Sequence, residues 1–103
     1  MNEFVAYREE IDKIDKELTQ LFEKRMDVAF KVALFKKQNN LQILDKTREE
    51  EVVRKAIDRL QNKDYQDEVI DFFNHLMSIS KDFQSKKMLT VQCPLTVCNE
   101  PLS

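Results

Sequence analysis

Tyr7, Ile11, Ile14, Leu18, Leu21, Arg25, Val28, Val32 and Phe35 recur at alternating spacings of four and three residues. That repeat is the signature of one face of an α-helix. It predicts a first helix from about residue 3 to about residue 38, ended by the polar "QNN" of residues 38–40. A second stripe, Val52, Val53, Ala56, Ile57 and Leu60, follows "TREE", which fits a capping box with Thr47 as cap and Glu50 three residues later. The second helix therefore starts near Thr47 and fades at "QNKD". A third stripe, Val69, Ile70, Phe73, Leu76 and Met77, predicts a helix over about residues 65–87.

Composition sharpens this picture. The 103 residues include no glycine, and the two prolines fall at positions 94 and 101. Tight hairpins favour such residues, so their lack over residues 1–93 argues against a sheet with tight hairpins, and the fold class is all-α, with three helices of which one is very long. Hydrophobic residues make up 42% and charged residues 35% of the chain, with a net charge of −2. The interleaved charges argue against a nucleic-acid footprint, and no segment reaches membrane-span length. The start "MNEFVAYREE" has neither a basic head nor an apolar run, so a cytoplasmic location is expected. The last stretch, "MLTVQCPLTVCNEPLS", carries both prolines, both cysteines and one charge. We expect a helical domain over residues 1–87 and a loosely ordered tail, or the start of a further segment, over residues 88–103. Cys93 and Cys98 are too few for a metal site and are assigned no function.

The first helix is too long for a monomer of this size. About 36 residues at about 1.5 Å each span roughly 54 Å, whereas a compact domain of about 100 residues has a radius of gyration near 13 Å. Much of the stripe must be covered by another chain, and a two-fold homodimer is the simplest arrangement.

Two cations interrupt that stripe. Arg25 and Lys36 share the face of Val28, Ala29 and Val32, and an unpaired buried charge is costly. Either acidic partners from the protein meet them or they line a cavity that receives an anion. Eleven residues give a rotation of about 20° and a rise of about 16 Å, a separation that two long side chains can narrow to the size of a small ligand. On the third helix, Ser80 and Gln84 continue the apolar stripe one turn apart. At the start of the second, "LDKTREEE" sets Asp45, Arg48 and Glu49 together; capping and dipole chemistry would by themselves account for those acids, with Arg48 solvated. One shared polar cavity explains the polar residues of all three helices at once. His75 lies roughly opposite Ser80, about 140° around the helix, and reads as a surface residue.

Four segments together, "REEIDKIDKEL" from Arg8, "RMDVAFKVALFK" from Arg25, "DKTREE" from Asp45 and "SKDFQ" from Ser80, resemble the all-helical chorismate mutase family over about residues 4–87. One departure is "QILD" at residues 42–45, where many members carry a proline ahead of the aspartate. The resemblance implies three helices per chain intertwined as a homodimer, and a Claisen rearrangement of chorismate to prephenate in aromatic amino acid biosynthesis. A pericyclic step of this kind needs no nucleophile, metal or cofactor. It needs a flexible dianion held in a compact shape, with donors where the ether oxygen gains charge.

Roles carry over by position. Arg25 and Arg8 match carboxylate-binding arginines. Lys36 and Gln84 match the pair at the ether oxygen, and Glu49 matches the acceptor for the substrate hydroxyl. Asp45, Arg48 and Ser80 match positions that complete the pocket. Arg8 lies 17 residues before Arg25, which is about 26 Å along the axis and about 100° around it. One small dianion cannot touch both on one chain, so the match implies that Arg8 comes from the partner chain. Without the match, a helix salt bridge from Arg8 to Asp12 is the simpler role. Two alternatives stay open, pyruvate elimination from isochorismate on the same scaffold and a helical dimerisation module without catalysis.

Overall fold

The structure is a computed structural model that describes residues 2–91, with side chains up to Met88. Three α-helices make up the described chain: α1 over Asn2–Gln38, α2 over Lys46–Arg59 and α3 over Gln66–Val91. A single 3-10 turn, Lys63–Tyr65, precedes α3. There is no strand among the described residues. Cys93, Cys98, Pro94 and Pro101 lie outside them.

Contacts divide the chain after Val32 into two units. The first, residues 2–32, is α1 without its last two turns. Its stripe faces solvent: Ile11, Ile14, Leu18 and Leu21 are all exposed, as are Phe4, Tyr7, Val28 and Val32. No described residue of this unit is fully buried.

The second unit contains the end of α1 together with α2 and α3. Here the predicted stripes are covered, because α2 packs along α3. Ala56, Leu76 and Met77 are buried, and Val52, Val53, Ile57, Leu60, Val69, Ile70 and Phe73 are half-buried. Ala33 and Met88 complete the buried apolar set.

Helix α1 ends without glycine. Asn40 takes the left-handed conformation at φ 57°, which asparagine tolerates better than most residues because its short polar side chain can bond locally. The Leu41 N–H then donates to the Lys36 carbonyl at 2.7 Å and the Asn40 N–H to the Lys37 carbonyl at 3.3 Å. This pair of crossed bonds is a Schellman cap, and it satisfies carbonyls that the helix end would leave open. It also reverses the chain immediately after Lys36.

The N-terminus of α2 corrects the sequence reading. Asp45 is the cap, not Thr47: its backbone is extended and its Oδ1 accepts from the Arg48 N–H at 3.0 Å. Both residue types can cap, and aspartate does so more strongly than threonine. The helix accordingly begins at Lys46. Its C-terminus closes with the Leu60 N–H donating to the Ile57 carbonyl, which also accepts from Lys63 Nζ. Asn62 caps the 3-10 turn through the Asp64 N–H at 3.0 Å, so α3 proper starts one residue after the expected Tyr65. At its other end α3 runs to Val91 rather than Lys87, with Met88 buried against the second unit.

Candidate active site

The second unit brings a group of polar side chains to the space between the end of α1, the loop after it and the last turns of α3. Ser80 is the buried polar residue of this region, only 4% exposed. Its Oγ accepts from Gln84 Nε2 at 2.9 Å, one turn along α3. An amide nitrogen has two protons, so this bond fixes the Gln84 head and leaves one N–H for a ligand.

A cavity of about 420 Å3 opens beside Gln84, lined also by Ala33, Ile43, Leu44, Lys81, Ser85 and Met88. That size falls within the range of small-molecule sites, about 300 to 1,000 Å3. Its walls are mainly apolar, with Lys81, Gln84 and Ser85 as the polar side chains among them.

Lys36 stands at the third position from the end of α1, where the Schellman cap turns the chain back. Its Nζ donates to the carbonyl of Ile43 at 3.3 Å, and Ile43 is in the cavity wall. An ammonium has three donors, so two remain after this bond. The side chain is half-buried. Its dual attachment, backbone in the cap and ammonium on the loop, fixes the loop of residues 39–45 against the helix end.

Glu49 occupies the first turn of α2, where the helix dipole favours a carboxylate. Its Oε2 pairs with Lys81 Nζ at 2.9 Å. The sequence signal for Lys81 is its place inside "SKDFQ", three residues from Gln84. A spacing of three sets two residues about 60° apart around a helix, close enough to share a cavity.

The remaining candidates have local partners. Asp45 caps α2, so the role that local chemistry alone suggested is the one its Oδ1 fills here. Arg48 donates from Nη1 to Glu51 Oε1 at 2.6 Å on an exposed face of α2. That hydrogen bond, with the nearby Lys55 ammonium, holds the Glu51 carboxyl below its ordinary value. In the first unit, the Arg8 guanidinium lies 4.2 Å from the centre of the Phe4 ring, in cation-π geometry. Arg25 is half-buried. His75 is exposed, as expected, and contacts Asp71 on its own helix.

Residues 7–85 match the family described as chorismate mutase type II. A bifunctional chorismate mutase/prephenate dehydratase of Buchnera aphidicola subsp. Acyrthosiphon pisum (strain APS) is 38% identical over 56 residues. That stretch covers 54% of this chain and 14% of the relative, so the chain matches only a small part of that longer protein. No solved structure matches. No described helix is long and apolar enough to cross a membrane. With the three-helix chain, the Ser80–Gln84 hydrogen bond and the family match over most of its length, the chain belongs to the type II chorismate mutase family.

Proposed function

We propose that the chain is a cytoplasmic, homodimeric chorismate mutase that converts chorismate to prephenate for aromatic amino acid biosynthesis. The observation that carries the reading is the cavity beside Gln84, in a chain that matches the family over residues 7–85. The reaction breaks a carbon–oxygen bond and forms a carbon–carbon bond within one molecule, so no group is transferred to the protein. Two effects lower the barrier: holding the dianion in a folded shape, and stabilising charge on the departing ether oxygen.

The free N–H of Gln84 and one of the two remaining Lys36 protons serve that oxygen. The other Lys36 proton serves a carboxylate. Arg25 of the same chain grips one carboxylate together with Arg8 of the partner subunit, since a guanidinium fork matches the two oxygens of a carboxylate. Glu49 accepts the substrate hydroxyl through Oε1, the oxygen not paired with Lys81. Ser80 holds Gln84 in place, while Asp45 and Arg48 complete the periphery. The exposed stripe of α1 supports the dimer: Ile11, Ile14, Leu18 and Leu21 have no cover within their own unit.

The test is conversion of chorismate by the purified chain, followed by loss of its absorbance and identification of prephenate. Release of pyruvate from isochorismate, with chorismate untouched, would move the chain to the sister activity. No turnover of either, and no thermal stabilisation by a dianionic ligand, would leave a helical dimerisation module.

A further inference from the structure

The ion pairs on the described helices differ in reach. Arg48–Glu51, Arg54–Asp58, Lys55–Glu51 and His75–Asp71 each join residues three or four apart on one helix. Lys81–Glu49 instead joins α3 to α2, at 2.9 Å. Its two side chains are 44% and 31% exposed, and a partly solvated pair of this kind adds little to stability. What it does fix is geometry. A glutamate in the first turn of a helix has three rotatable side-chain bonds and, unpaired, distributes itself over several rotamers in water. The ammonium selects the rotamer that reaches toward α3 and occupies Oε2, leaving Oε1 to accept.

Lys81 also lines the cavity beside Gln84. Cationic and close to the proposed site of a dianion, it could be taken for a further carboxylate anchor. The contact with Glu49 argues otherwise, because an ammonium held at 2.9 Å by a carboxylate is already neutralised locally. We infer that Lys81 is a positioning residue for the reaction: it acts through Glu49, holding the carboxylate that receives the substrate hydroxyl, and does not itself bind substrate. The inference rests on the chorismate mutase reading above.

Steady-state rates on chorismate for the wild type, Lys81→Met, Lys81→Arg, Glu49→Gln and the double variant Lys81→Met/Glu49→Gln test it. Lys81→Met should lower kcat/KM about 10-fold, and Lys81→Arg, which keeps the cation and its reach, should restore it to within about threefold. In the Glu49→Gln background the same Lys81→Met change should cost less than about twofold, because the group it orients is gone. Thermal melts of the single variants should stay close to the wild type. If the two losses multiply in the double variant, Lys81 contacts substrate or acts elsewhere, and the inference falls. An unchanged rate for Lys81→Met also overturns it. A wild type that leaves chorismate intact overturns the functional reading itself, and that result is apparent before any variant is compared.

Discussion

Helices α1 and α3 each carry an apolar stripe at helical spacing, and the two stripes have opposite fates. Leu76 and Met77 on α3 are buried, while Leu18 and Leu21 on α1 are 48% and 60% exposed. Period alone identifies the face a helix would bury; it does not identify what buries it. Covering a leucine contributes about 1.5 to 3 kcal/mol. The second unit realises that gain within the chain, through α2. The first unit leaves that gain unrealised within the chain, and the proposed homodimer would supply it to a chain with so small a core of its own. The same contrast separates the proposed site residues. Lys36, Glu49, Ser80 and Gln84 belong to the covered unit and have partners there, whereas Arg8 sits on the bare stretch of α1 over Phe4.

The sharpest way to break the comparison is one substitution in each stripe. Leu18→Glu should abolish dimerisation and turnover together, since it would place an unpaired charge in the proposed subunit interface. Leu76→Ala should leave a dimer that is less stable by about 2 to 5 kcal/mol, as for other buried leucines. Sedimentation and denaturant unfolding read the two outcomes. A Leu18→Glu chain that still sediments as a dimer would show that the bare stripe is not the subunit face.

In the proposed site Arg8 works across the subunit interface, and mixed dimers can break that half of the comparison. Arg8→Ala and Arg25→Ala should each be nearly inactive as homodimers, because every site lacks one arginine. Unfolding and refolding the two together makes about half of the dimers mixed, by random pairing. In a mixed dimer one site carries both lesions and the other carries neither, so roughly a quarter of wild-type activity should return. If Arg8 serves its own chain's site, mixing restores nothing.

The covered unit has its own large effect. Lys36→Ala should lower kcat by at least about 100-fold, the usual loss for one preorganised donor to a developing charge. A raised KM with normal kcat would remove Lys36 from that role. Gln84→Glu probes the same oxygen: its carboxylate repels the developing charge until it is protonated, so activity should recover as pH falls.

Which parts of this were readable in the sequence follows from how local each signal is. The stripes, the break after residue 38 and the Ser80–Gln84 pair depend on periods of three to four residues, and those survive in any helix. The cap of α2 is ambiguous in the sequence because Asp45 and Thr47 both suit the position, and only the extended backbone at Asp45 decides between them. The Lys36 bond to Ile43 depends on the turn that Asn40 makes with its positive φ, which "QNN" suggests as a break but not as a geometry. The partnership of Lys81 with Glu49 joins residues 32 apart in sequence, and no spacing rule reaches that far. Arg48 shows the reverse limit: its place beside Asp45 and Glu49 in the sequence says nothing of the hydrogen bond that its Nη1 donates to Glu51.

That last contact supports the smallest prediction. The bond to Glu51 occupies one of the five N–H donors of Arg48 and competes with its place at the periphery of the proposed pocket, so Glu51→Gln should release it and lower KM for chorismate by about twofold, with kcat unchanged. The pH dependence has a definite sign. The hydrogen bond from Arg48 lowers the Glu51 carboxyl below its ordinary value of 4.5, so the bond is complete at neutral pH and is lost as pH falls through that lowered value. Wild type and variant should therefore differ in KM at neutral pH and converge in acid as Glu51 protonates. The face is solvated, so added salt should narrow the gap as well. If KM for Glu51→Gln matches the wild type at every pH and salt concentration, Arg48 belongs to the outer face of α2 and has no part in the pocket.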